Sequence, residues 1–119
     1  MNLNELAEEI HQNAVERGWQ ENELGLGETI KSKLHLEICK YLNDIYIKKN
    51  HDYGDSFAKL RHELSNVILV RIYDKYSRLK TLLECNDQLV EDESIEDTLM
   101  DLANYCIMEL VERKIDNGN

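Results

Sequence analysis

The sequence predicts an all-α fold, a compact helical bundle of four main helices plus one short helix. Three observations predict it. Apolar residues recur at helical spacing along most of the chain. Proline is absent and only five glycines occur in 119 residues, so few positions interrupt a helix. Apolar residues make up 42% and charged residues 32%, a globular balance suited to one domain with one core.

The elements follow in chain order. Asn2 or Asn4 caps a first helix reaching about Arg17, with Leu3, Leu6, Ala7, Ile10 and Ala14 on its apolar side, and Gly18 ends it. Residues 20–28 form a polar loop. The second helix, 29–49, carries Ile30, Leu34, Ile38, Leu42 and Ile45 as its stripe, and Lys48 and Lys49 complement its negative end. Turn formers then crowd 50–55, with Gly54 suited to positive φ. Ser56 caps a short helix to about Glu63. Ser65 or Asn66 starts a third long helix to about Glu84, with Ile68, Ile72, Tyr76, Leu79 and Leu83 facing inward. Its opening, Val67-Ile68-Leu69-Val70, is β-prone taken alone, but the periodic run behind it favours helix. After a loop at 85–92, an acidic helix runs to about Lys114, with Ile95, Leu99, Leu102, Cys106 and Leu110 as its core stripe. The chain therefore reads as one domain over 1–119. It has an N-terminal helix and loop (1–28), a helical core (29–114) and a fraying tail (115–119).

Composition narrows function. No apolar run approaches the ~20 residues a bilayer requires, and the N-terminal residues do not look like a signal peptide. Cys39, Cys85 and Cys106 are odd in number and lack metal-ligand spacing, which suits reduced thiols in a cytoplasm. The formal net charge of −10 argues against general nucleic-acid binding. The charge is segregated. Residues 81–112 hold ten Asp or Glu and no Lys or Arg, whereas 48–80 hold eight of the fourteen basic residues.

Three clusters could carry chemistry. On the acidic helix, Glu93, Asp97 and Asp101 lie four residues apart on one stripe, where like charges repel unless a cation such as Mg²⁺ joins them. A solvated acidic face near a helix start explains the same pattern. Asp97 also has a capping role available if Ser94 is the N-cap, while Asp101 lies too deep in the helix for that. Asn104 and Tyr105 follow on the same side. On the third helix, Arg71, Lys75 and Arg78 share a face suited to phosphate, or to pairing with the intervening Asp74. Asp74 turned inward would be a further metal ligand. The polar run His51-Asp52-Tyr53-Gly54-Asp55-Ser56 is either a ligand-binding loop or a helix-helix turn. Paired-histidine zinc spacing, a Gly-rich phosphate loop and a nucleophile elbow are all missing.

Three segments stand in order: Lys49-Asn50-His51-Asp52-Tyr53-Gly54-Asp55-Ser56-Phe57, then Arg71-Ile72-Tyr73-Asp74-Lys75-Tyr76-Ser77-Arg78-Leu79, then 92–105. Together they resemble the first nucleotide-modification-associated domain family, common in phage and prophage genomes, over about 38–113. Residues 6–19 are similar to the opening helix of MazG-like nucleotide pyrophosphohydrolases. That likeness implies an all-α dimer or tetramer that uses Mg²⁺ to cleave NTPs or dNTPs to monophosphate and pyrophosphate. MazG-like ligands come from Glu-x-x-Glu on one helix and Glu-x-x-Asp on the next. Here Lys40 stands three residues after Glu37, where the second Glu of the first pair would fall, and 93–97 match the second only loosely.

The resemblance assigns roles to the clusters. Asp97 and Asp101, with Asp74 as a weaker third, would hold Mg²⁺. Glu93 would be a ligand or water-orienting base. Arg71, Lys75 and Arg78 would neutralise phosphate charge, with Lys75 counted among the catalytic groups. Lys49, His51, Asp52, Tyr53, Asp55 and Asn104 would contact the rest of the nucleotide. Two alternatives stand beside the hydrolase: a non-catalytic nucleotide-binding regulator or sponge, and a helical protein-interaction module.

Overall fold

The computed structural model describes residues 5, 8, 9, 12, 29–84 and 94–118. Every regular element among them is helical. The chain divides into two compact units, Met1–Ile45 and Tyr46–Asn119. In the first, Glu5, Glu8, Glu9 and Gln12 are helical, as expected of an N-terminal helix. Its capping residues, Gly18 and the 20–28 loop lie outside the described residues, as do the 85–92 loop and Glu93.

Helix α1 is Ile30–Tyr53. Thr29 and Ser32 cap its start reciprocally. Thr29 Oγ1 accepts from the Ser32 N–H at 2.9 Å, and Ser32 Oγ accepts from the Thr29 N–H at 2.8 Å. Leu42 is the buried residue of its first part. The helix continues four residues past the expected end, so Asn50, His51, Asp52 and Tyr53 are helical rather than looped. Asn, His and Asp lower helix propensity by only a few tenths of a kcal/mol, so none of them forces a stop. The stop comes at Gly54 and Asp55, both left-handed, with φ of 62° and 58°.

The second unit begins with the last two turns of α1. Helix α2, Ser56–Glu63, follows at once, and its N-cap is Asp55, not Ser56; the Asp55 side chain makes no capping bond. Helix α3 is Val67–Glu84 and helix α4 is Ile95–Asp116. The β-prone start of α3 is helical because Val67, 3% exposed, is packed there. At the head of α4, Ser94 Oγ accepts the Asp97 N–H at 2.9 Å. The end of α4 runs two residues past expectation, to Asp116, which accepts from Arg61 Nη1 at 2.7 Å.

Among the described elements, α3 and α4 form the most extensive pairing, and α2 contacts α3. The faces they bury differ from those the apolar periodicity suggests. On α3, Val67 and Lys75 are buried, while Tyr76 and Leu83 are exposed. On α4, Thr98, Met100 and Glu109 are buried, whereas Leu99, Cys106 and Leu110 are exposed. The buried polar residues Lys75, Thr98 and Glu109 each have a partner, which is what allows them inside. Thr98 Oγ1 donates to the Ser94 carbonyl at 3.0 Å. Glu109 takes Arg61 Nε at 2.9 Å and Nη2 at 3.1 Å on its two oxygens, and Arg113 Nε at 2.7 Å. These bonds hold the Glu109 carboxyl below its ordinary range: the bond from Arg61 is the largest cause, burial opposes it, and Arg113 adds to it.

Candidate functional site

A cavity of about 520 Å³ opens within the second unit. All four helices contribute. The end of α1 supplies Tyr46, Lys49, Asn50 and Tyr53, spaced i, i+3, i+4 and i+7 so that they share one face. That face exists only because the helix continues to Tyr53. From α2 come Phe57, Lys59 and Glu63, from α3 Arg71, and from α4 Asp101, Asn104, Tyr105 and Met108.

Asp101 is the electrostatic hub. Lys49 Nζ donates to its Oδ1 at 3.4 Å, and Lys75 Nζ donates to its Oδ2 at 3.2 Å. The Lys75 side chain is only 10% exposed, so the ion pair anchors α3 to α4 just beside the cavity. Arg71 sits with its guanidinium carbon 5.4 Å from the centre of the Tyr105 ring, a cation–π contact. Its Nε is buried and has no hydrogen-bond partner among the described residues. An unsatisfied buried donor costs free energy, so this nitrogen is a local cost of seating Arg71 against Tyr105. Phe57 also packs against Tyr105, with ring centroids 5.8 Å apart and planes tilted by 52°. Burial, and then the charges of Asp55 and Glu112, push the Tyr46 phenol above its ordinary pKa. It stays protonated at neutral pH and can donate a hydrogen bond.

The structure thus brings Lys49, Tyr53, Arg71, Asp101 and Asn104 to one cavity, with Lys75 directly behind Asp101. The other described residues expected in the site do not line this cavity. His51 pairs with Asp52 at 3.2 Å on the exposed last turn of α1. Asp55 occupies the exposed N-cap of α2. Asp74 lies 3.9 Å from Arg78 one turn away on α3, the solvated i, i+4 pairing. Asp97 is exposed at the third position of α4, where its N–H meets Ser94. Sequence reasoning missed Tyr46, Asn50, Lys59 and Glu63. The first two could have been found from their spacing to Lys49 and Tyr53, had the helix been extended through the turn formers.

The donor set can be tested against magnesium. Mg²⁺ demands an octahedral oxygen shell at about 2.0–2.1 Å and is usually held by one or two carboxylates. Both oxygens of Asp101 already accept from ammonium groups, and neither Asp97 nor Asp74 lines the cavity. Among the described residues, no group of three or more His, Cys, Asp or Glu is placed to hold a metal ion. The described residues thus offer no ready-made magnesium cage: Lys49, Lys59 and Arg71 line the cavity beside the two carboxylates Glu63 and Asp101.

A family model described as nucleotide modification associated domain 1 matches residues 49–112, which contain the whole cavity wall except Tyr46. No curated protein and no solved structure matches the chain. Among the described residues, no helix is long and apolar enough to cross a membrane.

Proposed function

The chain belongs to the nucleotide modification associated domain 1 family, and we propose that it binds a nucleotide in the cavity bounded by Lys49, Arg71 and Asp101. One observation carries this reading: Lys49, Lys59 and Arg71, drawn from three helices, line one cavity together with three tyrosines. Cations suit phosphate oxygens, and Arg suits them best because its fork is planar and always charged. Tyr46, Tyr53 and Tyr105 offer faces and edges to a base, and Asn50 and Asn104 offer amides to its polar atoms. In this reading the protein is a nucleotide-binding component of nucleotide metabolism, and the resemblance suggests a phage or prophage, cytoplasmic setting.

A second reading makes it a Mg²⁺-dependent NTP or dNTP pyrophosphohydrolase. The order of the three motifs favours it. Magnesium would then arrive with the substrate, and Lys49 or Lys75 would have to leave Asp101 to admit it. A homo-oligomer belongs to the same proposal. Leu69, Tyr73, Tyr76 and Leu83 stand exposed on α3 at coiled-coil a/d spacing, a seam that a second copy would cover. Light scattering on the full chain tests that part, and a monomer at every concentration would remove it.

A panel of NTPs and dNTPs with Mg²⁺, followed by thermal shift and pyrophosphate release together, tests the main reading. Stabilisation without turnover supports the binder, because a ligand of the native state raises apparent stability by mass action. Pyrophosphate release that is lost in Asp101→Asn supports the hydrolase. No response to any nucleotide would overturn both and favour an interaction module.

A further inference from the structure

We infer that the outer face of α4 is the contact by which two copies of this chain pair antiparallel, Glu96 of each copy meeting Arg113 of the other. This self-contact is separate from the α3 seam and does not depend on nucleotide binding. Six residues of α4 carry it. Glu96, Leu99, Ala103, Cys106, Leu110 and Arg113 recur at alternating steps of three and four, the a/d spacing of a helix–helix seam. Leu99 is 44% and Leu110 65% exposed, and Cys106 is exposed between them. The cavity residues Asp101, Asn104, Tyr105 and Met108 lie on the opposite side of the helix, so pairing through this stripe leaves the cavity open.

The order of these six residues selects both the occupant and its direction. From either end the stripe reads charge, leucine, small residue, small residue, leucine, charge, with the acid at one end and the base at the other. A second copy laid antiparallel opposes Leu99 to Leu110, Ala103 to Cys106 and Glu96 to Arg113, and a two-fold axis repeats each contact. A parallel pair would instead oppose Glu96 to Glu96 and Arg113 to Arg113, and like charges facing each other across an interface are costly. The helix as a whole has the same polarity, with Glu96 and Asp97 in its first turn and Arg113 and Lys114 in its last.

Packing agrees with charge. The small side chains at the centre let two helix axes approach toward the near end of the ~8–10 Å range of helix pairs. From Glu96 to Arg113 the stripe runs about 26 Å at the helical rise per residue. Arg113 Nε donates to Glu109 at 2.7 Å, which steadies the side chain while leaving it 67% exposed. Its terminal nitrogens remain as donors for a carboxylate from outside. Two leucines of each copy leave water in this arrangement. The apolar stripe that periodicity marks on α4 is then buried by a second copy instead of by the chain's own helices.

Sedimentation equilibrium of the full chain, with cross-linking of Cys106 by a short bis-maleimide in a Cys39→Ser, Cys85→Ser background, tests this. The two Cys106 thiols fall within one turn of each other across the antiparallel seam. The expected product is a covalent dimer, in equal yield when Tyr73→Glu disrupts the α3 seam. Leu110→Glu should raise the dimer Kd by about tenfold or more and abolish the cross-link. Glu96→Arg sets cation against cation at both ends and should raise Kd by roughly threefold to tenfold. Adding Arg113→Glu to it should recover most of that loss, with circular dichroism showing intact helices. Should Leu110→Glu or the double variant lose its helical spectrum, Glu96→Arg alone decides. A Kd unmoved by Glu96→Arg would overturn the antiparallel pairing. Association lost in Tyr73→Glu but kept in Leu110→Glu would overturn it in favour of the α3 seam. A monomer at every concentration would overturn both self-contacts and leave the nucleotide reading standing.

Discussion

Asp101→Asn isolates the ion pair on which the cavity is built. The substitution keeps shape and removes one charge. Lys75 then stays inside with its side chain 10% exposed and no counter-charge, and Lys49 is released to solvent. At an effective dielectric of about 20, two unit charges at the 3.2 Å Lys75–Asp101 separation attract by about 5 kcal/mol. Most of that offsets the desolvation of the ammonium group, and Asp101 is itself 35% exposed, which screens the pair further. The net loss comes to about 1–3 kcal/mol. For a chain of this length that lowers Tm by roughly 4–12 °C. Urea unfolding followed by circular dichroism should show a lower midpoint at an unchanged slope. The double variant Lys75→Met, Asp101→Asn should recover much of the loss, because it leaves no buried charge behind. An Asp101→Asn midpoint equal to that of the unaltered chain would refute the argument that Lys75 depends on Asp101.

Two further outcomes follow from particular contacts. Glu109 is held below its ordinary pKa of 4.5, first by the Arg61 bond, so the folded state resists its protonation. Its contribution is complete above about pH 4.5 and is lost as pH falls through the lower folded value. Glu109→Gln should therefore reduce stability at pH 7 and flatten the acid side of a stability–pH curve, and an unchanged acid limb would count against the Arg61 network. Gly54→Ala should cost about 1–2 kcal/mol although a Cβ there has room, its nearest neighbour being Lys59 Nζ at 3.7 Å. The cost lies in the φ of 62°, so a guanidinium unfolding curve that does not move would show that the turn readjusts.

Much of the helical layout was legible in the residues. Ser94 was one possible cap in the sequence, and the structure makes it the N-cap of α4. The 56–63 and 67–84 helices were placed within a residue or two. Apolar periodicity was a poorer guide to which faces are buried. It treats Lys75 and Glu109 as surface groups, yet each is inside because a partner on another helix satisfies it. Conversely, Tyr76, Leu83 and Leu110 read as core and stand exposed. Asp74 and Arg78, read as site residues, lie beside one another on α3, as the local i, i+4 alternative describes.

The order of residues alone determined that the described chain is helical, roughly where its described helices lie, and that it carries segments of one nucleotide-associated family. Those properties are local: a cap, a period or a motif is complete within a few residues. Only the tertiary structure decided that Lys49, Arg71 and Asp101, drawn from three helices, share one cavity, while Asp97 and Arg78 do not. It also decided that Asp101 is engaged by two lysines, one from α1 and one from α3. Those are distances between residues 26 and 52 positions apart in the chain, and no local pattern encodes them.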